Sequence, residues 1–393
     1  MATQTTINTV APQTYLNKTY YDRNLLENAK TKFVHAEYGQ KRNIPKNHGK
    51  TVEFRRWTAF DPKAVIGGLT EGVTPPSQSL AQSNVEATIH QYGAYVEVSD
   101  LLKTTSYDEV VEGSTDLLGE QIGTAIDWIV RDEMASGTNV QYADNQADRI
   151  SLDATKILTF AEVRKAVRTL KKKKARKFTR EGGKEHFIAI VSPDAVYDLQ
   201  SDSAWQNVSD YSNKEAIYSG EIGRMFGVVF IESTEAKVFK QSVNNKVNAN
   251  TSSSTDFVLK NDPTDEEVAY LSTGGNKIKI GTTEYTLASS GSYTPATKTV
   301  KLSAAASLTA NAVVFSEDAG ANGVDVHATL VFGKDAYGVI DIEGSGNLET
   351  IIKPLGAGDD PLNQRATVAG KCAFAAKILN GDWIVRIEHG VSA

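Results

Sequence analysis

One stretch constrains this chain more than any other: Ser106 to Gly137, SYDEVVEGSTDLLGEQIGTAIDWIVRDEMASG. Its apolar residues are Val110, Val111, Leu117, Leu118, Ile122, Ala125, Ile126, Ile129, Val130 and Met134. Steps of three, four and seven put them in one stripe on a helix, with Asp, Glu and Gln on the other side. Ser106 with Glu109 three residues later reads as a capping box, and Gly137 as a stop. The spacing predicts a helix about 45 Å long. Gly113, Gly119 and Gly123 lie inside it, and each costs about 1 kcal/mol relative to Ala. A helix that carries such penalties must be held by what packs along it. It reads as a spine.

The 393 residues suffice for about two or three modules with real cores. Apolar content of 40 % with 8 % aromatics excludes wholesale disorder. A formal charge of −6 argues against a dedicated nucleic-acid binder. The single cysteine, Cys372, excludes an intramolecular disulfide and a multi-cysteine metal site. The start, MATQTTINTV, has no basic segment followed by an apolar core, so no signal peptide is expected. No apolar run approaches the roughly 18 residues of a membrane span. The expectation is a soluble protein made in the cytoplasm, with no membrane partner.

Residues 1–20 are rich in Thr, Gln and Asn and have the composition of an arm without a core. A short amphipathic helix is expected from Asp22 to Tyr38, then a polar, basic loop over 39–50. TVEFRRWTAF (51–60) and NVEATIHQYGAYVEVSD (84–100) alternate as strands. The Gly/Pro-dense 64–80 joins them into a long hairpin-like excursion that needs a neighbour to lie on. TFAEVRKAVRTLKKKKARK (159–177) reads as a helix running into basic residues. A strand, turn and helix follow over 186–200, and a second apolar strand over 223–233. From about 241 to 320 the chain is rich in Ser, Thr, Asn and Gly with short alternating runs, which reads as an inserted β module. The β/α pattern resumes at 326–342 and 348–355. In the last run, 371–390, Asn380-Gly381-Asp382 is expected to make a hairpin.

No catalytic constellation emerges, and the expectation is a protein that is not an enzyme and has no cofactor. The histidines His35, His48, His90, His186, His327 and His389 show no helical ligand spacing. Neither GxxxxGK[ST] nor GxSxG occurs. Asp359-Asp360 reads as a turn and Cys372 as a buried, inert thiol. The one charge feature to weigh is Lys171, Lys172, Lys173, Lys174, Arg176, Lys177 and Arg180. It reads either as a solvated or subunit-contacting helix end, favoured by the dipole, or as a non-specific phosphate contact. Its one aromatic, Phe178, does not make a row of rings for base stacking.

A chain with a spine, an extended β excursion, a loose arm and no active site is built for contacts with copies of itself. DPLNQRATVAGKCAFAAKILNGDWIVRIEH (360–389) closely resembles the C-terminal signature of the phage N-four-like family of tailed-bacteriophage major capsid proteins. GGLTEGVTPPSQSL (67–80) and the SPD turn (192–194) resemble the same family, in the same order. The resemblance implies an α+β fold of the Hong Kong 97 type, with a spine helix, an extended β loop, an N-terminal arm and here an inserted β module. Mapped on this chain, it implies an arm over 1–49, an extended loop over 50–98 and a peripheral domain over 99–184. An axial domain over 185–240 and 321–364 would be interrupted by the insert at 241–320. The C-terminal strands, 365–393, would belong with the peripheral domain. The implied function is self-assembly as pentamers and hexamers into the icosahedral head shell around double-stranded DNA, in the virion, after assembly in the host cytoplasm. Implied partners are a separate scaffolding protein, a portal protein, packaged DNA bound non-specifically through the basic cluster, and a decoration protein. The alternative is a β-rich surface adhesin or binding module, which the Ser/Thr-rich insert suggests.

Overall fold

The computed structural model describes residues 34–392, apart from 46–48, 59, 70, 75–76, 106–109, 180–184, 202–220, 282, 317, 343–348, 355–361 and 363. Helices and strands both contribute, an α+β fold. The long amphipathic stretch becomes helix α3 (Val110–Ala135), 26 residues and therefore about 39 Å long. Its expected capping pair, Ser106 and Glu109, lies outside the described residues, and the chain leaves the helix shortly before Gly137. Two shorter helices precede it, α1 (Lys63–Ile66) and α2 (Asp100–Thr105).

The largest sheet has eight strands. Its path is β5 (Val140–Tyr142), β22 (Ile384–His389), β18 (Val326–Phe332), β7 (Glu185–Val191), β9 (Val228–Glu232) and β8 (Glu221–Met225). Two short strands, β6 (Phe178–Thr179) and β10 (Val238–Phe239), pair with β7 and β18. β7 runs parallel to β9 and antiparallel to β18. Both faces of this sheet are covered, which is why β7, β9 and β18 read as nearly continuous apolar runs. On one face lie α4 (Phe160–Lys172) and α5 (Pro193–Ser201). Their Val163, Val167, Leu170 and Leu199 pack on Phe187, Ala189, Phe230 and Val331. On the other face Val130 and Met134 of α3 join Ile188, Ile190, Leu330 and Phe332.

A five-stranded sheet runs β1 (Gln40–Ile44), β19 (Tyr337–Ile342), β21 (Arg365–Ile378), β20 (Glu349–Lys353), with β4 (His90–Ser99) also paired to β21. β1 falls where the sequence suggested a loop; it lies parallel to β19, from Gln40 on Gly338 to Ile44 on Ile342. Of the helix expected over 22–38, residues 22–33 lie outside the described residues and 34–38 form a turn. The turn is fixed by Asp127 of α3, whose Oδ1 accepts the backbone N–H groups of His35 and Ala36 at 2.8 and 3.2 Å. The run 223–233 is a hairpin rather than one strand, β8 and β9 turning at Phe226-Gly227. Asn380-Gly381-Asp382 makes no hairpin: β21 and β22 belong to different sheets, and the turn passes the chain from one to the other.

Residues 243–316 close on a core of their own, including Val247, Phe257, Leu271, Ile278, Val300 and Val314. Four strands, β11 (Asn244–Lys246), β17 (Val313–Ser316), β13 (Lys277–Ile280) and β14 (Thr283–Thr286), form one sheet. β12 (Thr251–Val258), β16 (Thr299–Leu308) and β15 (Tyr293–Thr294) form the other. The Asp265–Ser272 helix beside them starts on a capping box made by Thr264 and Glu267.

The chain divides into two compact units. One comprises Thr31–Gly93, Gln121–Glu349 and Lys371–Ala393 and holds each core described above. The other comprises Met1–Lys30, Ala94–Glu120 and Thr350–Gly370. In the second, the Asp100 N–H donates to the Gln364 carbonyl at 3.0 Å, and Arg365 stands 4.0 Å from Glu97.

Candidate functional site

Two surfaces carry chemistry that the fold itself does not use. The first is a two-stranded ribbon, β2 (Thr51–Trp57) and β3 (Gln82–Thr88), paired antiparallel from Thr51 on Thr88 to Trp57 on Gln82. Val52 and Phe54 fix its base against Ile44, Ile340, Ala373 and Ala375. Beyond Trp57 the tip is left uncovered among the described residues. Ile66 is 77 % exposed and Leu69 78 %, and Trp57, Phe60, Val65, Val73 and Leu80 are exposed with them. Gly68 and Gly72, at φ +69° and +77°, turn the tip in a conformation that a Cβ would oppose. Single exposed apolar side chains are ordinary, but a cluster on one projecting element marks an interaction surface.

The second surface is the outward side of α4. The fold divides the expected basic cluster. Lys173 pairs with Asp382 at 3.1 Å, Arg176 with Asp335 at 3.6 Å and Lys177 with Glu185 at 3.0 Å. The Trp383 indole N–H donates to the Lys173 carbonyl at 3.3 Å. Arg180 lies outside the described residues. Lys171 and Lys172 instead join Arg164 and Arg168, which sequence reading passed over, along a shallow groove of about 720 Å³ closed on one side by Phe226. The signal was present in the sequence: basic residues at 164, 168, 171 and 172 follow the helical period opposite the buried Val163, Ala166, Val167 and Leu170. Phe226 has no sequence signal, because only the β8–β9 turn brings it to α4.

Several buried titratable groups serve the fold. Ser192, His327 and Asp194 come together, with Ser192 Oγ 2.9 Å from His327 Nδ1 and Asp194 3.9 Å from Nε2. Ser192 is buried, however, and its Oγ also caps α5 by accepting the Ala195 N–H at 3.4 Å. Burial lowers the His327 pKa, and the neighbouring carboxylates oppose it only in part. His35 Nδ1 donates to Asp127 Oδ2 at 2.7 Å, wholly inside the core. Burial pushes the Cys372 thiol up, away from the reactive thiolate. Among the described residues no group of three or more His, Cys, Asp or Glu side chains is arranged to hold a metal ion. No described helix is long and apolar enough to cross a membrane.

A family model described as phage capsid protein matches residues 130–315. The major capsid protein of Escherichia phage T5 is 36 % identical over 87 residues, 21 % of this chain. That match spans 19 % of the length of the relative. The structural likeness runs through the whole chain. The capsid of Ralstonia phage GP4 is similar with a TM-score of 0.61 at 12 % identity, covering 100 % of this chain and 99 % of that one. The Cyanophage Pam1 capsid asymmetric unit gives 0.60 at 13 %, covering 98 % and 99 %. The head structure of Helicobacter pylori bacteriophage KHP40 gives 0.60 at 10 %, also covering 98 % and 99 %. Local sequence matches and end-to-end structural likeness lead to one result: this chain has the Hong Kong 97-type fold of the tailed-phage capsid proteins.

Proposed function

We propose that the chain is the major capsid protein of a tailed phage, a structural protein and not an enzyme. It assembles as pentamers and hexamers into the icosahedral head shell around double-stranded DNA. The observation that carries this reading is the apolar tip of the β2–β3 ribbon, uncovered among the described residues while its base is fixed in the core. Fully burying one such side chain is worth about 1.5–3 kcal/mol, and symmetry repeats the gain at each copy of the contact. Capsid relatives of the same fold support the reading. Residues 1–49 then serve as the arm, 50–98 as the extended loop and 99–184 as the peripheral domain. Residues 185–240 and 321–364 form the axial domain, 241–320 the insert, and 365–393 join the peripheral domain. A separate scaffolding protein, a portal protein, a decoration protein and the packaged DNA are the partners this function calls for.

Negative-stain electron microscopy with light scattering on the purified chain, with and without its scaffold, tests the reading. Closed shells, tubes or rings of subunits are expected. The double variant Ile66→Asp, Leu69→Asp should keep the melting temperature of the subunit and lose assembly. A wild-type chain that stays monomeric under both conditions at high concentration, or a double variant that still closes shells, overturns it.

A further inference from the structure

We propose that the outward face of α4, with Phe226 beside it, is a polyanion-binding site whose ligand is the phosphate backbone of double-stranded DNA. It rests on the capsid reading for the source of that DNA. Arg164, Arg168, Lys171 and Lys172 are all exposed and follow one another along about 12 Å of helix. Among the described residues none of the four has an ion-pair partner, although the chain holds more Asp and Glu (48) than Lys and Arg (42). Two carboxylates near α4 are spent elsewhere: Glu162 on Lys165 at 2.7 Å, Asp382 on Lys173. The helix dipole accounts for cations in the last turn only. Arg164 and Arg168 lie before that turn, so their presence on the same line needs another reason.

Phe226 supplies a second, independent observation. It sits at φ +52° in the two-residue turn between β8 and β9, a position that favours Asn, Asp or Gly over a side chain of this size. The residue is 45 % exposed, with the Arg164 guanidinium 5.3 Å from the ring centroid and Phe160 edge-on at 6.1 Å. An aromatic held in an unfavourable backbone conformation, half in water, lines the groove with its ring within cation–π distance of the Arg164 guanidinium. The site binds phosphate without reading sequence, because a row of cations on one helix face presents charge and no pattern of base-edge donors and acceptors. This assignment moves the DNA contact away from Lys173, Arg176 and Lys177, which are neutralised within the chain.

Fluorescence anisotropy of the full, unassembled chain with a labelled duplex, between 50 and 200 mM KCl, tests it. Four phosphate contacts contribute about 3.6 to the slope of log affinity against log salt, an extra loss of roughly 100-fold over that range. The variant R164Q/R168Q/K171Q/K172Q should lose this part of the slope, and the milder R168Q/K171Q about half of it, while K173Q/R176Q/K177Q keeps the wild-type slope. Circular dichroism identifies a variant that has failed to fold, in which case the milder pair decides. The proposal is overturned if the quadruple and double variants keep the wild-type slope. It is also overturned if the quadruple variant binds DNA normally yet no longer assembles, since the face then meets carboxylates of a second copy. A chain that closes shells but shows no such slope sinks this proposal alone. One that binds DNA with this slope and never assembles sinks the capsid reading alone.

Discussion

Acidification from pH 7 to pH 5 should destabilise the folded chain through one buried ring. His389, at the end of β22, is wholly inside the protein. Its Nδ1 lies 2.7 Å from the Gly390 carbonyl, which can only accept, so Nδ1 carries the hydrogen and Nε2 accepts from the Thr329 hydroxyl at 3.0 Å. That arrangement fits the neutral ring. Burial lowers its pKa to about 4 from 6.5; the stacked His327 ring, 6.2 Å away, also disfavours the charge, while Asp198 and Glu388 favour it. Between these two values the unfolded chain binds a proton that the folded chain refuses. Stability is therefore full above about pH 6.5 and falls as the pH drops toward 4. At about 1.4 kcal/mol per unit the whole effect is about 3 kcal/mol, of which about 2 kcal/mol is gone by pH 5. Urea denaturation of the unassembled wild type and His389→Gln at pH 7 and pH 5, followed by circular dichroism, measures it. The wild type should lose about 2 kcal/mol more than the variant over that interval. Equal losses would refute the argument, because the ring would then titrate alike in both states.

Glu388, fully buried, accepts from Arg149 at 2.6 and 2.9 Å and from Arg386 at 2.7 Å. Glu388→Ala leaves two guanidinium groups without their shared carboxylate, and thermal or urea unfolding should show a loss of about 3–5 kcal/mol. Replacing residues 243–316 with a short Gly-Ser link should leave the eight-stranded sheet cooperative in unfolding. The module has a separate core, and its two ends lie side by side where Asn244 pairs with Phe315; a non-cooperative remainder would count against this.

What was legible in the sequence is what a single element decides for itself. The stripe of α3 and the apolar runs of β7 and β18 follow from period and from burial on both faces, and both could be read directly. β1 could not. QKRNI has neither alternation nor an apolar run, and it becomes a strand because β19 offers it an edge. Asn380-Gly381-Asp382 carries a hairpin signature that tertiary structure overrides, since β21 and β22 each find better partners in separate sheets. Val34 to Tyr38 lost their helix to Asp127, a carboxylate some ninety positions away that captures two backbone N–H groups. The basic cluster was visible as composition, but its division was not. Asp335 and Asp382, which pair with Arg176 and Lys173, are distant in the chain, and so is Phe226, which frames Lys171 and Lys172.

The β2–β3 ribbon has seven residues in each strand and, among the described residues, no third strand beside them. A pair of strands alone resists bending and twisting poorly compared with a full sheet. Fixed at Val52 and Phe54 and loaded at the apolar tip, it is a cantilever spring. A subunit that serves both five-fold and six-fold positions must aim one contact at slightly different angles with the same sequence. Under the assembly proposed above, the ribbon is the element of this chain that would take up that misalignment, so that the packed cores need not deform.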